Sequence, residues 1–134
     1  MTLHLSKHSD LDGTTAAATA RDLTRHFFDD ASRGGRSVAP EARDTTLLLV
    51  SELVTNAIRH TPAGCVLDLE LEPDEIAIAV TDYSDAEPRL RTPDLEGGGG
   101  WGWALVHRLG SGVRIRHRPG GKTIHTGVRL SLPR

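Results

Sequence analysis

A single cysteine, Cys65, stands among 134 residues, so an internal disulfide is excluded and a reducing compartment suits the chain. No apolar run approaches the roughly 20 residues of a membrane-spanning helix, and the N-terminus lacks the continuous apolar stretch of a signal peptide. A cytoplasmic chain away from membranes is the expectation. An excess of charge of one sign is also missing. Sixteen basic residues against 18 acidic ones leave a formal charge of -2, and no global field draws the chain to nucleic acid or an anionic surface. The Arg114, Arg116, Arg118 alternation suits the wet face of a strand.

Several chemistries are missing with their motifs. The histidines at 4, 8, 26, 60, 107, 117 and 125 have no paired His or Cys spacing of a zinc site. There is no Gly-x-Ser-x-Gly elbow, and Cys65 has no evident base, so covalent hydrolysis is not expected. Gly121-Lys122-Thr123 resembles the end of a Walker A loop, but that motif needs a glycine five positions before Gly121, where Arg116 stands. It also falls in an expected hairpin rather than between strand and helix.

What is present centres on Leu47 to His60. At about 100° per residue, Leu47, Val50, Leu53, Val54, Ala57 and Ile58 fall in one arc of an amphipathic helix. Glu52, Asn56 and Arg59 point the other way, flanked by Leu48 and Leu49. Two readings are open: a solvated face, or, because of those leucines, one wall of a pocket. A carboxylate and a carboxamide at i and i+4 sit one above the other. Such oxygen ligands suit Mg²⁺, which takes one or two protein groups plus water and substrate phosphates.

The rest of the chain builds around that helix. Thr2 to Leu5 predicts a short strand, Ser9 to Gly13 a turn, and Thr14 to about Ser32 a scaffold helix with Ala16, Ala20, Leu23, Phe27 and Ala31 on one face, stopped by Gly34-Gly35. Pro40 suits the first turn of the central helix, which Thr61 to Gly64 ends. Leu67, Leu69 and Leu71 then alternate with Asp68, Glu70 and Glu72, and Glu75 to Asp82 returns with Ile76, Ile78 and Val80 in one phase. Asp82 continues that buried phase. It is either a cap of the following turn or a fixed acceptor aimed at a ligand N–H. Tyr83 to Gly100 has no element and ends in four glycines, Gly97 to Gly100. It reads as a lid, binding loop or linker. A short helix, Trp101 to Leu109, follows, and then a closing hairpin of Val113 to Arg118 and Lys122 to Leu132. The expected fold is α+β, a two-layer sandwich of a mostly antiparallel sheet with three main helices on one face.

Glu52-Leu-Val-Thr-Asn56-Ala-Ile-Arg-His60, Val80-Thr-Asp82-Tyr-Ser84, Gly100-Trp-Gly102-Trp-Ala-Leu-Val106 and Gly121-Lys-Thr123 together resemble the GHKL (Bergerat-fold) ATPases. Within them the chain is most similar to the small anti-sigma-factor serine/threonine kinases, in order and spacing from about residue 15 onward. The resemblance implies one histidine-kinase-like ATP-binding domain over residues 1–134 with an ATP lid at about 83–100, and ATP and Mg²⁺ as cofactors. It implies Asn56 as Mg²⁺ ligand and Glu52 as general base on a protein serine. Asp82 would accept from the adenine amino group, and Gly100 and Gly102 would close over the phosphates. Arg59, Ser84, Gly98, Trp101, Trp103, Ala104, Leu105 and Thr123 fill the remaining nucleotide-binding positions, and Arg89 or Arg91 could swing in from the lid. The implied partners are a STAS-type anti-anti-sigma protein as substrate and a sequestered sigma factor, and relatives often dimerise.

Departures from the family pattern bear on activity. Ser84 and Ala86 stand where glycines are usual, with less backbone freedom. Trp101 and Trp103 replace smaller or basic side chains, and the strand phase of Thr123 is opposite to that of Ile124 and Val128. A non-catalytic module that only sequesters a partner is therefore the alternative. A histidine kinase would need an acceptor histidine on a dimerising hairpin, for which 134 residues leave no room.

Overall fold

Helical and two-residue periodicities become two layers in the computed structural model. It describes residues 5–60, 63–83 and 102–130, and within them every side chain except those of His60, Gly102 and Trp103. The element order is β1 (Leu5–Leu11), α1 (Ala16–Arg33), α2 (Pro40–His60), β2 (Cys65–Leu71), β3 (Glu75–Asp82), α3 (Gly102–Leu109), β4 (Arg114–Arg118) and β5 (Gly121–Arg129).

Along α1, Ala16, Ala20, Thr24, Phe27, Phe28 and Ala31 are buried at the spacing of one helix face. The Thr24 hydroxyl donates to the Ala20 carbonyl at 2.7 Å, which satisfies a polar group in the core. The helix ends where Gly35 takes φ +91°, and the Arg36 N–H turns back to the Ala31 carbonyl at 2.8 Å. α2 packs on α1 and across β2, β3 and β5, burying Leu49, Val50, Leu53, Val54 and Ala57. Each such leucine contributes about 1.5–3 kcal/mol by leaving water.

The five strands form one sheet in the order β1-β2-β3-β5-β4, with every neighbouring pair antiparallel. Residues directly opposite in such pairs share a face. Leu67, Val80 and Ile124 line up across the sheet beneath the helices, as do Leu69 and Ile78, and Leu71, Ile76 and Val128. The opposite face carries the polar phase: His8, Asp68, Ala79, His125 and Arg114 in one row.

One strand differs from the sequence reading. Ser9, Asp10 and Leu11, expected to turn, extend β1 and pair with Leu67, Val66 and Cys65, while Thr2 to His4 lie outside the described residues. β1 is an edge strand exposed along most of its length, so it never acquires the apolar alternation that reveals a strand.

Candidate nucleotide site

Asp82 is the last residue of β3, in phase with Ile76, Ile78 and Val80, and the sheet brings Lys122 of β5 directly opposite. The Lys122 ammonium lies 2.9 Å from Asp82 Oδ2 and donates to Oδ1 at 3.1 Å, with the two side chains only 1% and 3% exposed. Each charge compensates the other, which is what makes burial of both tolerable. A Cβ on Gly121 would lie 2.3 Å from the Asp82 carbonyl oxygen, so only glycine permits β5 to pass this close to the end of β3. Cys65 occupies the other flank of Asp82 in the sheet. Burial, and then the Asp82 charge, push its thiol up to about 11, so it stays protonated and unreactive at neutral pH.

α2 carries the other expected site residues. Glu52 and Asn56 are half-buried one turn apart, and Arg59 is exposed in the final turn. Arg21 of α1 donates to the Ser51 hydroxyl at 3.0 Å, fixing the helix beside Glu52. The N-terminal turns of α2, with Ala42 and Thr45, share a concavity with Leu109, Val128 and Leu130. That places them at the start of β3, the Glu75 end of the β3–β5 pairing. The C-terminal turns therefore run toward its Asp82 end, where the chain also passes from His60 to Cys65, opposite Asp82. α3 packs against α2, with Val106 buried.

Not every expected site residue joins this group. Thr123 faces the open side of the sheet, where its hydroxyl meets Thr81 Oγ1 at 2.8 Å and accepts from Arg118 Nη2 at 2.6 Å. Strand alternation separates it from Asp82, and the residue that shares the face of Asp82 is Lys122. Of the two leucines taken to cover the polar side of α2, Leu49 is buried in the core, but Leu48 is 38% exposed. Ala104 is exposed and Leu105 half-buried in α3, which Gly102 and Trp103 open. Ser84, Gly98, Gly100, Trp101 and nearly all of the expected lid lie outside the described residues.

Lys122 is the residue that sequence reasoning missed. The signal was available: it stands two before Ile124 and six before Val128, in the buried phase of its strand. A lysine there needs a buried acid, and Asp82 was already in the buried phase of its own strand.

The family model of the histidine kinase-like ATPase domain matches residues 14–126, and the chain belongs to that family. Among solved structures it is similar to that of the RsbU and RsbW domains of Rv1364c from Mycobacterium tuberculosis, at 26% identity and a TM-score of 0.70 over 96% of this chain. The present chain spans only 33% of that one. It also shares its fold with the Acinetobacter baumannii histidine kinase AdeS, at 16% identity and a TM-score of 0.50, over 94% of this chain and 68% of that one. No curated protein matches.

Family membership implies ATP as a ligand, and the donor set fits one. A buried carboxylate suits the amino group of a base, and a half-buried carboxamide beside a carboxylate suits a hydrated Mg²⁺ and phosphates. Among the described residues, no group of three or more His, Cys, Asp or Glu side chains is arranged to hold a metal, and no helix is long and apolar enough to cross a membrane.

Proposed function

We propose that the chain is an ATP- and Mg²⁺-dependent serine/threonine protein kinase of the anti-sigma type. It phosphorylates a STAS-type anti-anti-sigma protein and sequesters a sigma factor when that substrate is absent, acting in the cytoplasm. The observation that carries the reading is the half-buried Glu52 and Asn56, one turn apart on α2, running toward the end of the sheet that holds the buried Asp82. The family match and the likeness to an RsbW-containing chain support it.

Bound ATP supplies the γ-phosphoryl group and Mg²⁺ spreads its charge. Asn56 would hold the metal, and Asp82 would accept from the base amino group. Glu52 takes the proton of the attacking serine hydroxyl, a role that is worth about 10²–10⁴ in rate. Gly98, Gly100 and Gly102, ahead of and at the start of α3, would bring backbone N–H groups to the phosphates. Arg59, in the final turn of α2, would meet phosphate or partner. The phosphoserine formed then leaves by charge repulsion, which frees the kinase to take the sigma factor.

A homodimer belongs to the same reading. The open sheet face carries Asp68 and Glu70 on β2, and Arg114, Arg116 and Arg118 on β4. A two-fold axis along β3 would lay the acidic half of one copy on the basic half of the other.

Calorimetric titration with ATP, with and without Mg²⁺, tests the site. Saturable binding that Mg²⁺ strengthens is expected, lost in Asp82→Ala and uncoupled from Mg²⁺ in Asn56→Ala. Phosphotransfer to a STAS domain should fall at least about 10²-fold in Glu52→Gln with ATP binding retained. Binding without phosphotransfer in the unaltered chain would leave a sequestering module instead.

A further inference from the structure

We infer that the open face of the sheet carries an anion site, built by Arg116, Arg118, Thr81 and Thr123, that takes a phosphate group as the free ion or as a phosphomonoester. The inference does not rest on the nucleotide reading, whose Asp82 lies in the opposite, helix-covered phase of the sheet.

A concavity of about 510 Å³ opens there, lined by Arg116, Arg118, Thr81, Thr123, His125 and Asp68. The register accounts for it. Arg116, Thr123 and Thr81 are directly opposite one another on β4, β5 and β3, and in the next row Arg114, His125, Ala79 and Asp68 are aligned in the same way. Ala79, between His125 and Asp68, is too small to fill that row. The floor is already ordered. Arg118 donates to Thr123 Oγ1 at 2.6 Å, Thr123 shares a hydrogen bond of 2.8 Å with Thr81, and Thr123 is only 5% exposed. Two hydroxyls with one bond between them leave one proton for a further acceptor.

The positive charges at this place are unmatched. Among the described residues neither Arg114 nor Arg116 pairs with a carboxylate, and Arg118 donates to a neutral hydroxyl. Asp68, the acid that lines the concavity, is engaged by His8. Arginines along an edge strand also guard it against pairing with other chains. That role requires neither a hollow nor hydroxyls fixed beneath the guanidinium groups. A carboxylate would bring two oxygens and one charge to this donor set. Phosphate brings more oxygens and, near neutral pH, close to a second charge, and a guanidinium fork meets two of its oxygens at once. In the dimer proposed above, acidic side chains of a second copy would take the same arginines, so phosphate and a second copy are alternatives here.

His125 is the reporter, because it lines the concavity. Burial, followed by Arg114, Arg116 and Arg118, holds its imidazole below the ordinary 6.5, with Asp68 opposing them more weakly. A phosphate anion beside those arginines offsets their field. Imidazole NMR should therefore show the His125 midpoint rising saturably with inorganic phosphate, and not with chloride at equal ionic strength. Arg116→Gln changes an exposed side chain and should weaken the response by roughly 10-fold, the scale for one hydrogen bond to a charged group. Titration with O-phosphoserine separates the sources: a response to inorganic phosphate alone assigns the site to the free ion, and a response to both assigns it to a phosphomonoester as well. Equal responses to phosphate and chloride, or to phosphate and acetate, would overturn the inference, as would a response that Arg116→Gln leaves intact.

Discussion

Removing one charge of the Asp82–Lys122 pair strands the other in a medium that solvates it poorly. Lys122→Met alone is expected to cost about 3–5 kcal/mol in denaturant unfolding. The Asp82→Asn/Lys122→Met chain should recover much of that loss, and strictly additive losses would mean the two side chains are not coupled. Two histidines on the open sheet face are shifted in opposite directions from the ordinary value. The hydrogen bond and charge of Asp68 raise His8 above the ordinary 6.5. Burial, followed by Arg114, Arg116 and Arg118, lowers His125 below it. The folded chain thus holds the His8 proton more tightly than the unfolded chain, and that stabilisation is complete below pH 6.5 and fades as pH rises through the raised value. For His125 the sign reverses: its contribution is complete above pH 6.5 and is lost as pH falls through the lowered value. Imidazole NMR titration should place His8 above His125, and Asp68→Asn should bring His8 back toward the ordinary range. Coincident midpoints would contradict both assignments.

At the scale of elements, the turns do not tolerate change equally. Gly35 at the end of α1 and Gly64 before β2 both have positive φ, +91° and +100°. A Cβ on Gly35 meets nothing within 4 Å, whereas one on Gly64 would lie 2.5 Å from the Leu11 carbonyl oxygen. Gly35→Ala should therefore cost only the left-handed backbone term, about 1–2 kcal/mol. Gly64→Ala adds a clash with the end of β1, for a total of about 2–5 kcal/mol by thermal unfolding. Equal losses would mean that β1 yields freely at that point. The elements also show what could be read beforehand. α2 and β3 matched because burial on one side imposes a period on the sequence, 3.6 residues for Leu49, Val50 and Leu53 and two for Ile76, Ile78 and Val80. β1 was misplaced because an exposed edge imposes none. Lys122 was passed over because a single lysine in a buried phase looks like an exception until the opposite strand is placed beside it. Thr123 was brought in by motif alone, although its own phase argued against it.

For the whole molecule, the distribution of charge matters more than its sum. The formal charge is only -2, yet the open sheet face divides acidic β2 from basic β4. If copies pair across that face, association weakens as salt screens the opposed rows. Sedimentation should then show a dimer at low ionic strength that dissociates at high ionic strength, and Arg116→Glu should give monomer throughout. A monomer at every salt concentration would exclude this pairing. The formal charge alone could not have suggested it, because a net value carries no information about which strand holds which sign.

Cys65 gives the molecule a built-in clock. Its buried sulfur lies beside Asp82 in the sheet and stays protonated, so a thiol reagent must wait for that corner to open before it can react. With only one cysteine in the chain, the labelling rate reports that single opening event without further engineering. A ligand seated against Asp82 should slow the clock in proportion to its occupancy, turning an inert side chain into a gauge of binding.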